Sequence, residues 1–176
     1  MSDDMFSRDR ERWQVYLQKV IAGEISHEFP IDANILGLVE ALNDFPFLYT
    51  RGSCGGHVRT REHILKERVL RGFDADMPLF SGFAVYAGSW FTFTVDGSCQ
   101  QGEQFAADLK QLLQGYQHTY FKNMPQTGPF AYAVVLAYQE EGKESVTKEE
   151  AKQLTVQTSE LIEKVTELVK AFKEVS

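Results

Sequence analysis

Phe47-Leu48-Tyr49-Thr50-Arg51-Gly52-Ser53-Cys54-Gly55-Gly56-His57-Val58-Arg59-Thr60 reads as a short apolar strand, Phe47–Thr50, that stops at a glycine-rich loop ahead of a helix. Glycines tolerate positive φ, so neighbouring N–H groups can turn toward one point. A loop of this kind before a helix N-terminus suits an anion or a negative group of a cofactor. It holds Cys54 and His57 and is flanked by Arg51 and Arg59. This stretch looks built for a ligand rather than for a core, and it predicts a concave site at 52–57 with Arg51, His57 or Arg59 beside it.

The charge pattern fits that expectation. The chain carries a formal net charge of −7, yet between Arg51 and Arg71 six basic residues (Arg51, Arg59, Arg61, Lys66, Arg68, Arg71) face only Glu62 and Glu67. A local positive field in an acidic protein steers anions. A solvated helix face is the competing reading. Overall acidity argues against broad, sequence-blind coating of nucleic acid, but leaves room for a focused contact.

With 176 residues, 43% hydrophobic and 12% aromatic, the chain is expected to form one α/β domain over residues 1–176 with a sizeable core. No apolar run approaches the roughly 20 residues that span a bilayer. The acidic start Met1-Ser2-Asp3-Asp4 has no apolar segment behind it, and two cysteines are too few for a disulfide framework. These features predict a cytoplasmic protein with reduced thiols and no membrane contact.

Helical spacing of Trp13, Tyr16, Leu17, Val20 and Ile21 predicts a helix over 6–22, closed by Gly23. Asp32 reads as the cap of a second helix bearing Ile35, Leu36, Leu38, Val39 and Leu42. A basic helix over 60–71 is expected to turn Ile64, Leu65 and Val69 inward. Two readings of 83–95 stand: a hairpin turning at Gly88-Ser89, or a bent continuous strand. A helix over 104–114 and a buried strand over 130–138 follow. Residues 146–176 form a long amphipathic helix opened by the capping box Thr147-Lys148-Glu149-Glu150. Its stripe Ala151, Leu154, Thr158, Leu161, Val165, Leu168, Phe172 repeats at heptad spacing, so it either lies on its own sheet or pairs two copies in a homodimer. Helices before, between and after the strands predict a mixed β-sheet flanked by helices.

Neither G-x-G-x-x-G nor a P-loop is present, which removes standard dinucleotide and nucleoside triphosphate sites. Cys54 with His57 suggests a thiol nucleophile and its base, but residues so close in a loop seldom face each other across a substrate. Cys54, His57, His63 and Cys99 match no standard zinc spacing, so no metal site is expected. Tyr49, Tyr86, Trp90, Tyr116 and Tyr120 are candidates for stacking on a base, against the plainer role of core aromatics.

The order of the helix containing Ile31-Asp32 and ending at Asn43, the strand 47–50 and the loop Gly52-Ser53-Cys54-Gly55-Gly56-His57 resembles the wybutosine-synthesising protein three family. That family has an Ile-Asp helix ending in Asn, then a strand and a Ser-Ser-Cys-Ser-Gly-Arg loop. Ser53, Cys54 and Gly56 match, while Gly52, Gly55 and His57 depart, His57 standing where the family has arginine. The likeness extends through Trp90–Val95, Phe105–Leu113 and Phe130–Tyr138, although the segment 72–83 is short for the family's Gly-Gly-Arg-Trp hairpin. The resemblance implies a divergent S-adenosylmethionine-dependent methyltransferase acting on a nucleotide or tRNA. It also implies cofactor contacts from Ser53, Cys54, Gly55, Gly56 and His57, with Arg51 or Arg59 taking anion or substrate in place of the missing arginine. The alternative is a non-catalytic module that binds a small anion or a partner and dimerises through its C-terminal helix.

Overall fold

The computed structural model describes residues 3–24, 31–72 and 80–175. His27 and the centre of the 72–83 segment lie outside them. The described residues form five helices and four strands: α1 (Asp3–Ile21), α2 (Ala33–Asn43), β1 (Leu48–Thr60), α3 (Arg61–Leu70), β2 (Ala84–Val95), α4 (Gln100–Leu113), β3 (Tyr120–Asn123), β4 (Ala131–Ala137) and α5 (Lys148–Val175). This is the expected α/β class, with flanking helices and a long C-terminal helix. The strands lie in the order β1-β2-β4-β3, and all three ladders are antiparallel.

Two segments differ from the expected pattern in the same way. The glycine-rich loop is no loop: β1 runs through Gly52, Gly55 and Gly56 to Thr60, paired with β2 along its length. The Gly88-Ser89 hairpin is not formed either, and β2 is the bent continuous strand. Ladder bonds join backbone to backbone and need no side chain, so two glycine-bearing segments hold each other in register. The irregularities are bulges. One between Thr50 and Gly52 leaves Arg51 without a partner on β2, and a second interrupts β2–β4 at Ser89/Trp90. Bulges bend a strand and re-aim a side chain; Arg51 is exposed as a result.

The helices α2 and α5 cover the sheet. One core cluster joins Ile35, Leu38, Val39 and Leu42 of α2, Leu48, Phe91, Phe93 and Val95 of the strands, Phe105 and Leu109 of α4, and Leu161, Val165 and Val169 of α5. Each fully buried large apolar side chain stabilises the fold by roughly 1.5–3 kcal/mol. The capping box of α5 is formed: Thr147 N–H donates to Glu150 Oε2 at 2.8 Å and Glu150 N–H to Thr147 Oγ1 at 3.1 Å. The stripe of α5 is spent on its own sheet. After Val165 its fully buried member is Val169, with Leu168 and Phe172 half-buried. That drift toward the 3.6-residue period marks a straight packed helix rather than a supercoil.

Helix α1 is fastened to the ends of α2 and β1 by polar contacts. Arg10 donates to Phe45 O at 2.9 Å, Asn43 O at 3.4 Å and Leu48 O at 3.4 Å, and Gln14 donates to Asn43 O at 3.0 Å. A cation at the C-terminal end of α2 also complements its dipole. Buried Asn43 then ties α2 to β1. Its Nδ2 donates to Val39 O and Thr50 Oγ1, both at 2.6 Å, and its Oδ1 accepts from Thr50 N–H at 3.1 Å. Helix α3 stands apart, with no fully buried residue. Ile64 and Leu65 are half-covered, while Val69, expected inward, is exposed.

Candidate functional site

A cavity of about 620 Å³ lies between α1, the start of α2 and the edge of β1. Its walls are Trp13, Tyr16, Leu17 and Val20 from α1, Ile31 and Val39 beside and on α2, and Trp90 from β2. Its polar lining is Asp32, Thr50, Arg51, Ser53, Cys54 and His57. The size is that of a small-molecule site, and an apolar box with a few convergent polar groups is the usual make-up of one. The stripe expected to be core on α1 is therefore split. Leu17 is buried, Trp13 and Tyr16 form a cavity wall with ring centroids 5.2 Å apart and the planes tilted by 31°, and Ile21 is exposed. The indole Nε1 of Trp13 is fully buried and has no hydrogen-bond partner among the described residues.

The polar floor is organised by Asp32. As the N-cap of α2 its side chain would ordinarily accept from the first turn, but it makes no such bond. Instead it crosses to β1. Asp32 Oδ2 accepts from Gly55 N–H at 2.6 Å, and Asp32 Oδ1 lies 3.1 Å from His57 Nε2. Asn34 Nδ2 donates to Gly55 O at 2.9 Å. Both outward-facing groups of Gly55 are thus held by the beginning of α2. This satisfies an edge strand that would otherwise offer open hydrogen-bond groups. A Cβ at Gly55 would stand 1.9 Å from Asn34 Oδ1, so only glycine allows the approach.

Gly56 adopts φ +80°. In a regular strand, residues three apart face opposite sides. The turn at Gly56 breaks that alternation, and Cys54 and His57 come to the same side with Asp32; their ligating atoms all lie within 4.8 Å of one another. Burial, then the nearby Asp32 carboxylate, push the Cys54 thiol above its usual range of about 9, against a backbone hydrogen bond from Gly56. A raised thiol pKa favours the protonated form, the wrong form for a nucleophile.

Of the residues singled out in the sequence, Arg51, Ser53, Cys54 and His57 line the cavity, Gly55 and Gly56 form the backbone behind it, and Arg59 pairs with Glu67. The expected anion cradle is corrected: the Gly55 amide is already taken by Asp32, so the protein's own carboxylate occupies the place of the anion. Within the basic segment the two acidic residues are paired, Glu67 with both Arg59 and Arg71, and Glu62 with Lys66. Among the candidate stackers only Trp90 reaches the cavity; Tyr49 and Tyr86 are buried in the fold. Asp32, Trp13 and Tyr16 were not foreseen as site residues. Asp32 had a complete explanation as a cap, and the two aromatics had one as core.

No family model matches the chain, and no curated protein does. Among solved structures it is similar to the PH1069 protein of Pyrococcus horikoshii, with 14% identity over 96% of this chain and 92% of that one and a TM-score of 0.49. A hypothetical protein from Aeropyrum pernix matches with 14% identity over 81% of this chain and 98% of its own, at a TM-score of 0.44.

Proposed function

We propose that the cavity is the cofactor site of a divergent, cytoplasmic S-adenosylmethionine-dependent methyltransferase acting on a nucleotide or tRNA. The observation that carries this reading is the aromatic lining. Trp13, Tyr16 and Trp90 all line one space of about 620 Å³. Flat aromatic faces suit an adenine ring, which they hold by stacking. They also suit a sulfonium, which they hold by cation–π attraction. Arg51, turned outward by the bulge, sits at the rim for a carboxylate or a backbone phosphate. Methyl transfer from an activated donor depends mainly on holding methyl and nucleophile in line, so a site without an activated thiol is adequate to it.

The competing reading, an anion-binding module that dimerises through its C-terminal helix, has less to stand on. Its cradle amide is bonded to Asp32, and the apolar stripe of α5 is covered by the sheet.

The chain's two tryptophans both line the cavity, so selectively excited tryptophan fluorescence reports on this site. Titration with S-adenosylmethionine or its demethylated product is expected to quench or shift the emission. The effect should fall in Trp13→Phe and be absent with phosphate or sulfate. No spectral change and no calorimetric heat at millimolar cofactor would overturn the proposal.

A further inference from the structure

We infer that Asp32, Cys54 and His57 form a binding site for a zinc-class divalent metal ion, with a fourth coordination position open to the cavity. The inference goes beyond the proposed cofactor reading and does not rest on it.

Three observations converge. First, the side chains offer one carboxylate oxygen, one thiol sulfur and one imidazole nitrogen within 4.8 Å of each other, with Asp32 Oδ1 and His57 Nε2 3.1 Å apart. Metal–ligand bonds of about 2.0–2.3 Å in a tetrahedron place the ligands roughly 3.5 Å apart. The cluster reaches that spacing by about 1 Å of side-chain adjustment, which half-exposed His57 is free to make. Second, the carboxylate is already oriented as a ligand. Its other oxygen is held by Gly55 N–H, and the carbonyl of the same residue accepts from Asn34, the outer support that metal-binding carboxylates commonly have. Third, all three residues line the 620 Å³ cavity. Three protein ligands facing a cavity leave the fourth position to water or to a bound molecule, the pattern of catalytic rather than structural zinc. On binding, the Cys54 S–H proton leaves to solvent and the sulfur bonds the metal as thiolate, while the proton between His57 Nε2 and Asp32 Oδ1 moves off that nitrogen, to Nδ1 or to solvent, and frees both atoms as ligands. Thiolate and carboxylate together then balance the dication.

The spacing of Cys54 and His57 in sequence hid this site, because the third ligand comes from α2 and the strand alternation is broken at Gly56. His63 and Cys99, the other residues considered for zinc, do not join the cluster.

The test uses the full chain without cofactor. After chelator treatment and dialysis against zinc chloride, elemental analysis is expected to give one equivalent of zinc. Cobalt should produce a thiolate-to-metal charge-transfer band and the visible bands of a tetrahedral site. Cys54→Ser and His57→Gln should each weaken binding by more than about tenfold, and Cys99→Ser should leave it unchanged. Bound zinc should also protect Cys54, but not Cys99, from alkylation in the parent protein, a readout that needs no variant to fold. Less than stoichiometric zinc, a cobalt spectrum without the thiolate band, or unchanged affinity in folded Cys54→Ser would overturn the assignment. Cofactor fluorescence measured on the chelator-treated protein tests the methyltransferase reading separately, so either can fail without the other.

Discussion

Replacing Gly56 with alanine tests the element that assembles the site. An L-residue in the left-handed region costs about 1–2 kcal/mol, and Gly56 sits at φ +80°. The new Cβ would lie 2.5 Å from Tyr86 Oη, closer than any real contact. Tyr86 is buried, and its hydroxyl bonds Thr158 Oγ1 at 2.5 Å. Displacing it breaks that bond and leaves buried hydroxyls unpaired, a further 1–3 kcal/mol or so. Reduced freedom of the unfolded chain returns about 0.5 kcal/mol. The expected loss is therefore about 2–4 kcal/mol, a large part of the roughly 5–15 kcal/mol that holds a typical domain together. The assay is urea unfolding followed by circular dichroism in a double-mutant cycle with Tyr86→Phe. Phenylalanine removes the clashing oxygen, and the remaining close atoms, Tyr86 Cζ and Ser89 Cβ at 3.1 Å, need give only a few tenths of an ångström. Gly56→Ala should then cost only the backbone component, leaving a coupling of about 1–3 kcal/mol. Equal costs in the two backgrounds, within about 0.5 kcal/mol, would refute the steric argument. So would a neutral single mutant.

Leu161 is fully buried where α5 meets the sheet, so Leu161→Ala should lose about 2–5 kcal/mol in urea unfolding, and Leu161→Asp should unfold the chain. A folded Leu161→Asp monomer derived from a dimeric parent, seen by light scattering, would show that the stripe served a partner. Asn43→Ala strands Thr50 N–H and its hydroxyl in the core and should cost about 1–3 kcal/mol by the same method. In chelator-treated protein, Cys54 should alkylate more slowly at neutral pH than a free thiol, with a rate that keeps rising above the usual thiol range. The sign follows from burial favouring the neutral thiol. Rapid labelling at pH 7, followed by mass spectrometry, would contradict it.

What could be read in the sequence was what local chemistry and periodicity determine. The capping box of α5, the apolar spacing of α2 and α4, and the buried run 131–137 each carry their own signal. The misread segments are those where a residue type means one thing locally and another in a pair. Gly52, Gly55 and Gly56 read as loop because glycine alone favours turns; pairing with β2 makes them strand. β3 escaped notice because its four residues are largely exposed and carry little alternation. The site was half legible. Arg51, Ser53, Cys54 and His57 were found from their neighbourhood, whereas Asp32 enters from more than twenty residues away and no spacing rule reaches it.

The attachment of α1 has a consequence for how the molecule breathes. Few of its side chains are buried, Phe6 and Leu17 among them, and Met5, Val15 and Ile21 face water; bonds from Arg10 and Gln14 to the ends of α2 and β1 add to its hold. Such a helix is expected to open locally well below the free energy of global unfolding. Its inner face is also one wall of the cavity. Amide hydrogens of α1 should therefore exchange early in the empty protein, and any occupant that touches Trp13 and Tyr16 should slow them in proportion to its saturation, as linkage demands. Exchange along this one helix thus serves as a binding meter for ligands whose chemistry is not known in advance.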